Sequence, residues 1–197
     1  MIITSRSNPL IKRAKSLKQK KYRDELGLFV LEGEKFVADA LKAGFRCETL
    51  FCLPKFEGRY AGAKQEVLLT EEVFAALTDT RSPQGILGLF KLPSPGPEDL
   101  FSSEKILCLD DVQDSDNVGA LIRSAVCAGY GAVLLSPGCA DCYSQKAVRA
   151  SAGAVLSIPC LRGELSLLAE LRKRGYSVAG THLCGDERAK IPGGRLV

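Results

Sequence analysis

The stretch that decides the fold is "KILCLDDVQDSDNVGALIRSAVCAGYGAVLLS", residues 105–136. It opens on "ILCL", an apolar run with the length of a buried strand. Four acidic residues, Asp110, Asp111, Asp114 and Asp116, then crowd seven positions. Apolar residues next recur at helical spacing through "NVGALIRSAVCAG". "AVLLS" is a second short apolar strand. Strand, helix and strand at this spacing make a βαβ unit, whose right-handed crossover joins two parallel strands.

The same rhythm continues downstream. "YSQKAVRASAGA" (143–154) predicts a helix, "VLSIPC" (155–160) a strand, "ELSLLAELRKRG" (164–175) a helix and "YSVAGTHL" (176–183) a strand. Alternation of this kind predicts an α/β domain with a Rossmann-like parallel sheet and helices on both faces. Such sheets take ligands at the carboxyl ends of their strands. The acidic stretch, "SPGCADCYS" (136–144) and "THLCGDE" (181–187) all begin at such ends, so they are expected to converge on one rim.

Upstream lies "KLPSPGPEDLFSS" (91–103), with three prolines and a glycine. It reads as a linker over 93–103, separating a first domain over 1–92 from a second over 104–197. In the first domain, Asn8 or Ser7 is placed to cap a helix through "PLIKRAKSLKQKK" (9–21), with Pro9 at its first position. Leu10, Ala14 and Leu17 line one side of it. "GLFVLEG", "CETLFCL", "EVLLT" and "GILGLFK" read as strands, and "EKFVADALKAG" and "EEVFAALTDT" as helices. The first domain is therefore a small α/β module with a mixed sheet.

The chain has 197 residues, 46% of them hydrophobic, enough for one large or two small cores. No apolar run reaches the roughly 20 residues that span a membrane. The N-terminal "MIITSRSNPLIKR" lacks the apolar stretch of a secretory signal. A cytoplasmic protein with no membrane partner is expected. The net charge of +4 conceals an asymmetry: residues 1–23 hold eight cations and no acid, which leaves the remainder at −4. Such a block is the electrostatic footprint of a polyanion or a solvated helix face.

The eight cysteines mostly sit in apolar segments, as small hydrophobes do. "CADC" (139–142) has metal-ligand spacing, and "HLC" (182–184) could complete a zinc site. Their separation and the lack of a standard knuckle favour incidental loop thiols, so no metal is expected. In the helix after the acidic stretch, Asp116 or Asn117 is a natural N-cap. Val118, Leu121, Ile122 and Ala125 share one face, and Arg123 falls about 100° or more from its centre. Arg123 is then a surface residue paired with a nearby Asp, or a guanidinium presented to a phosphate or hydroxyl.

"LDDVQDSDNVGALIRSA" (109–125) resembles the first motif of the SpoU (TrmH-like) family of RNA ribose 2′-O-methyltransferases, in the trefoil-knot SPOUT superfamily. "SPGCADCYSQKAVRASAGAVLSIP" (136–159) is similar to that family's next block, in which a loop with Asp and Tyr-Ser leads into a Lys-x-x-Arg-x-Ser helix. Cys142 departs from it, since proline is common there. "ITSRSNPLIK", "FVLEGEKFVADAL" and "TDTRSPQGILG" resemble the L30e-like substrate-binding domain often attached to these enzymes. The resemblance implies an S-adenosylmethionine-dependent RNA methyltransferase, acting on rRNA more readily than tRNA and built as a homodimer. It assigns Arg123 and Asn117 to catalysis and Thr181 to the cofactor. It also makes Lys146, Arg149 and Ser151 candidates for RNA contact, beside Arg6, Lys12, Arg13, Lys15, Lys18 and Arg23 of the basic block. A Gly-Glu-Gly loop and a Ser-x-Asn segment that complete the family's knot and cofactor pocket do not occur before the chain ends at "IPGGRLV". The methyltransferase domain is accordingly expected to be cut short before the knot and the 197-residue chain to be inactive. The alternatives are an RNA-binding module without catalysis and a zinc-stabilised binding protein.

Overall fold

A computed structural model of the chain describes residues 2–181, 184–185 and 194–197. The chain forms two compact units: residues 1–93 with 143–149, and residues 94–142 with 150–197.

The first unit is built on a five-stranded mixed sheet. Its strands are β1 (Ile2–Ile3), β2 (Leu28–Glu32), β3 (Cys47–Cys52), β4 (Glu66–Leu69) and β5 (Ile86–Lys91), in the order β1-β4-β3-β5-β2. β1, β4 and β3 run parallel, and β5 is antiparallel to both β3 and β2. Residues 28–31 of β2 are all buried, as in a strand covered on both faces. One face carries Leu28, Val30 and Phe51 against Ile11, Ala14 and Leu17 of the N-terminal helices. On the other, the Phe29 ring meets Phe45, Phe90 and Tyr143 at 5.1–6.1 Å.

The basic N-terminal segment forms two helices, where the sequence predicts one. α1 (Pro9–Ser16) starts at Asn8, whose side chain accepts a hydrogen bond from the Leu10 amide at 2.9 Å. α2 (Lys20–Leu26) ends at Gly27, at φ 61°. Ile11, Ala14 and Leu17 are the fully buried positions, and Leu10 packs only partly. Arg23 corrects an expectation. It is 4% exposed, and its Nη1 donates to the carbonyls of Leu17 and Lys18 at 2.7 and 2.9 Å. It closes the end of α1 and does not face RNA. α3 (Glu34–Lys42) and α4 (Glu71–Ala75) complete the unit's helices up to β5.

The second unit holds a parallel sheet in the order β6-β7-β8: β6 (Ile106–Leu109), β7 (Ala132–Leu135) and β8 (Cys160–Arg162). Residues 195–197 lengthen it on the other side of β6. The Ile106 amide donates to Leu196 O at 2.8 Å, and the Val197 amide to Ser177 O at 2.9 Å. The bridges Lys105–Leu196 and Ser177–Leu196 are both parallel. The stretch read as a linker contains α5 (Pro97–Phe101), whose Leu100 and Phe101 share a core with Ile106, Leu134, Leu171 and Tyr176. The Tyr176 hydroxyl donates to Ser103 O at 2.6 Å. α6 (Ser115–Cys127) packs against β6 and the 3₁₀ turn Ala154–Leu156, and α8 (Leu167–Lys173) follows β8.

Two further expectations are displaced. "VLSIPC" is not a strand, because its first residues form that 3₁₀ turn; the strand starts at Cys160. α7 (Gln145–Ala150) is six residues long and stops before the predicted end at 154. Ala152, at φ 52°, is a left-handed residue that no helix continues through. No helix among the described residues is long and apolar enough to cross a membrane.

Candidate active site

The carboxyl ends of β6 and β7 are tied together through their loops. Beyond β6 the backbone turns at Asp111, which has φ 51°, a conformation costly for a residue with a side chain. Its amide donates to Ser136 Oγ at 2.9 Å, and its carboxylate receives the Gln113 side-chain amide at 3.2 Å. The Ser136 amide donates to Leu109 O, and the Ala140 amide to Val112 O at 2.8 Å. The loops approach so closely at Gly138 that a Cβ there would lie 2.3 Å from Asp111 Oδ1. Arg162, at the end of β8, fixes the second loop. Its Nη1 donates to the carbonyls of Ser136, Pro137 and Cys139 and its Nη2 to that of Ala140, at 2.9–3.2 Å. One planar fork thus satisfies four carbonyls of a loop with no regular secondary structure to pair them. Sequence reading missed this residue; a lone arginine at the carboxyl end of a short strand is the signal that could have found it.

α6 leaves this rim. Its N-cap is Asp114, not Asp116 or Asn117: the Asp114 carboxylate accepts from the amides of Asp116 and Asn117 at 2.8 and 2.9 Å. Asn117 therefore lies in the first turn. Val118, Gly119, Ile122 and Ala125 form the buried face. Leu121, expected there, is 38% exposed. Asn117 and Arg123 are both exposed, and neither side chain has a hydrogen-bond or ion-pair partner among the described residues. Arg123 is therefore not the Asp-paired surface arginine. Six residues of helix set the two about 9 Å apart along the axis and about 120° around it. α6 by itself does not bring them to one point.

The other predicted site residues scatter. Lys146 and Arg149 are exposed on α7, within the first unit. Ser151 is fully buried, which removes it from RNA contact. Of the basic block, Arg6 pairs with Glu72 at 3.0 Å, Arg13 with Glu48 at 3.4 Å and Lys18 with Asp79 at 2.6 Å. Lys12 is exposed and Lys15 half-buried. Thr181 is exposed; its neighbours 182 and 183 lie outside the described residues, as do 186–193, so four of the seven residues of the "THLCGDE" loop are outside them.

The thiols of "CADC" turn inward. Cys139 Sγ donates to Leu109 O at 3.2 Å. The Cys160 thiol hydrogen-bonds Cys142 and, with burial, pushes the Cys142 pKa up. Among the described residues no cluster of three His, Cys, Asp or Glu could hold a metal. His182 of the second predicted half lies outside them, and Cys184 is exposed.

Residues 8–88 match the MRM3-like substrate binding domain, and residues 104–192 match the SpoU rRNA Methylase family. The chain is 37% identical over 186 residues to the Bacillus subtilis 23S rRNA (guanosine(2553)-2'-O)-methyltransferase RlmP, covering 92% of this chain and 73% of that one. The chain belongs to the SpoU family. Human mitochondrial rRNA methyltransferase 3 is 33% identical over 164 residues, 74% of this chain and 37% of that longer protein. An AdoMet-bound rRNA methyltransferase from Sinorhizobium meliloti superposes with a TM-score of 0.87 at 31% identity, and another structure of an rRNA methyltransferase from that organism with 0.89 over the whole of this chain and 79% of that one. The SpoU membership accounts for the parallel sheet and for the strand–acidic loop–helix order that starts the second unit.

Proposed function

We propose that this protein transfers a methyl group from S-adenosylmethionine to a ribose 2′-hydroxyl of ribosomal RNA, and that it works as a homodimer. The observation that carries the activity is the 92% of this chain aligned with the Bacillus 2′-O-methyltransferase, spanning both the substrate-binding and the methylase segments. Ribosomal RNA is preferred over tRNA because that relative's name specifies 23S rRNA.

Thr181 fits the cofactor role in position and chemistry. It follows residues 177–179, which run parallel to 195–197 and β6, and so stands at the carboxyl side of the sheet. Its hydroxyl has no partner among the described residues. S-adenosylmethionine bound there supplies an electrophilic methyl group to the ribose oxygen. The chain's own task is to place that oxygen and ease its proton away. A guanidinium has donors and no acceptor, so the part open to Arg123 is to hold rather than to take a proton. It can hold a backbone phosphate through two parallel hydrogen bonds and so fix the neighbouring ribose. Asn117 can donate to one ribose oxygen and accept from another.

The dimer reading draws on the outer face of α6. Leu121 and Ile2 are the large apolar side chains most exposed among the described residues. Ala120, Ser124 and Cys127 are exposed on the same side of α6. A second copy laid there would cover Leu121 and take its side chain out of water.

Incorporation of labelled methyl groups into 23S rRNA tests the proposal. Arg123→Ala is expected to lose at least about 100-fold in turnover, the scale of a misplaced reactant. Stability should change by no more than about 0.5 kcal/mol, because the side chain is exposed and makes no hydrogen bond or ion pair among the described residues. Arg123→Lys should be nearly as inactive. Wild-type rates in the lysine variant would remove the bidentate role, and no incorporation by the wild type would overturn the function.

A further inference from the structure

We propose that a second, cationic groove in the first unit binds the sugar–phosphate backbone of the RNA; this rests on the RNA-methyltransferase reading. The groove lies where β3 begins and β5 ends. The Lys91 amide donates to Arg46 O at 3.0 Å, and the Lys64 amide to Cys47 O at 2.9 Å. Three backbone segments carrying Arg46, Lys64 and Lys91 are therefore neighbours across one edge of the sheet, at about 4.8 Å per strand. Two adjoining hollows of about 460 and 400 Å³ share Arg46 and Lys91. The first is walled by the end of α3 and Leu92, the second by Glu48, Gly62 and Lys64.

The charge balance there is poor for stability alone. Arg46 sits directly across from Lys91, and like charges facing each other on adjacent strands are destabilising. Glu48 is the acid in the hollows. Lys91 reaches its Oε1 at 3.1 Å and Arg13 its Oε2 at 3.4 Å. The Lys91 hydrogen bond, with the charges of Lys91, Arg13 and Lys64, holds the Glu48 carboxyl below the usual range. One carboxylate thus meets three cations, and Arg46 lines the same hollow. Arg46 and Lys64 have no ion pair or side-chain hydrogen bond among the described residues. A concave strip lined by Arg46, Lys64 and Lys91 against Glu48, a net charge of +2, presents exposed guanidinium and ammonium donors that suit successive phosphates.

The experiment measures binding of a fluorescently labelled 23S rRNA transcript to the full chain over a range of KCl concentrations. Arg46→Gln with Lys64→Gln breaks no ion pair. It should weaken binding at least about tenfold and lower the slope of log K against log salt by about 1.5, the loss of two phosphate contacts. Glu48→Gln should have the opposite sign, binding severalfold more tightly, because it removes an anion and releases two cations. Thermal melting checks that each variant folds. An unchanged slope in the double variant, weaker binding in Glu48→Gln, or no RNA binding by the wild type would overturn the groove. Failure of the wild type to methylate while it still binds through these residues would sink the catalytic reading and leave the groove standing.

Discussion

Arg162 turns its guanidinium onto four carbonyls of the 136–140 loop, although most of the residue is exposed. Hydrogen bonds from charged donors contribute about 1.5–3 kcal/mol when shielded, and solvent reduces that here. Arg162→Met is therefore expected to destabilise the protein by about 2 kcal/mol in urea titration. Arg162→Lys should do little better, because a point charge cannot span the same carbonyls. Full stability in the lysine variant would show that charge, not the planar fork, holds the loop. Arg23 makes the same use of its charge on Leu17 and Lys18. Sequence reading placed it with the RNA-binding cations because charge alone does not say what a side chain reaches. The break between α1 and α2 is what folds Arg23 back onto the helix end.

At the level of elements, α6 was legible in outline and misread in detail. Val118, Ile122 and Ala125 announce its buried face by spacing. Leu121 fits the same stripe and yet stays exposed, since the buried face runs through Val118, Gly119, Ile122 and Ala125 and leaves Leu121 on its margin. The cap moved to Asp114 because several Asp and Asn residues compete there and only the loop path selects one. The path itself depends on Gly138. Gly138→Ala would drive a methyl group into the Asp111 carboxylate, whose oxygens are engaged by Gln113. A loss of about 1–3 kcal/mol is expected, in the range of overpacking, with methylation reduced more than RNA binding. Calorimetry and methyl incorporation on the same preparation check both; a variant as stable and active as wild type would mean the two loops yield freely.

Across the whole molecule, buried thiols couple stability to alkaline pH. Burial, and then Glu48, push Cys47 from 9.0 up to about 12. Burial, followed by a hydrogen bond to Glu66, does the same to Cys52. A thiol whose pKa rises on folding favours the folded state while it remains protonated. That contribution is fully present below pH 9 and is lost as pH rises toward about 12. Urea midpoints should fall steeply between pH 9 and 11, and Cys52→Ala should flatten the decline. An equally steep decline in that variant would assign the loss to other groups.

The sequence by itself determined the α/β class, the parallel second sheet, the strand–acidic loop–helix order and an arginine outside the apolar face of α6. Each is a local matter of period, cap and breaker, carried within some 30 residues. Tertiary structure alone decided which cations reach solvent and which close a helix. It placed the third parallel strand at Cys160, moved 143–149 into the first unit, buried Ser151 and set Arg46 opposite Lys91. Those outcomes depend on residues far apart in the chain competing for the same carbonyls and the same core, and no local pattern records who wins.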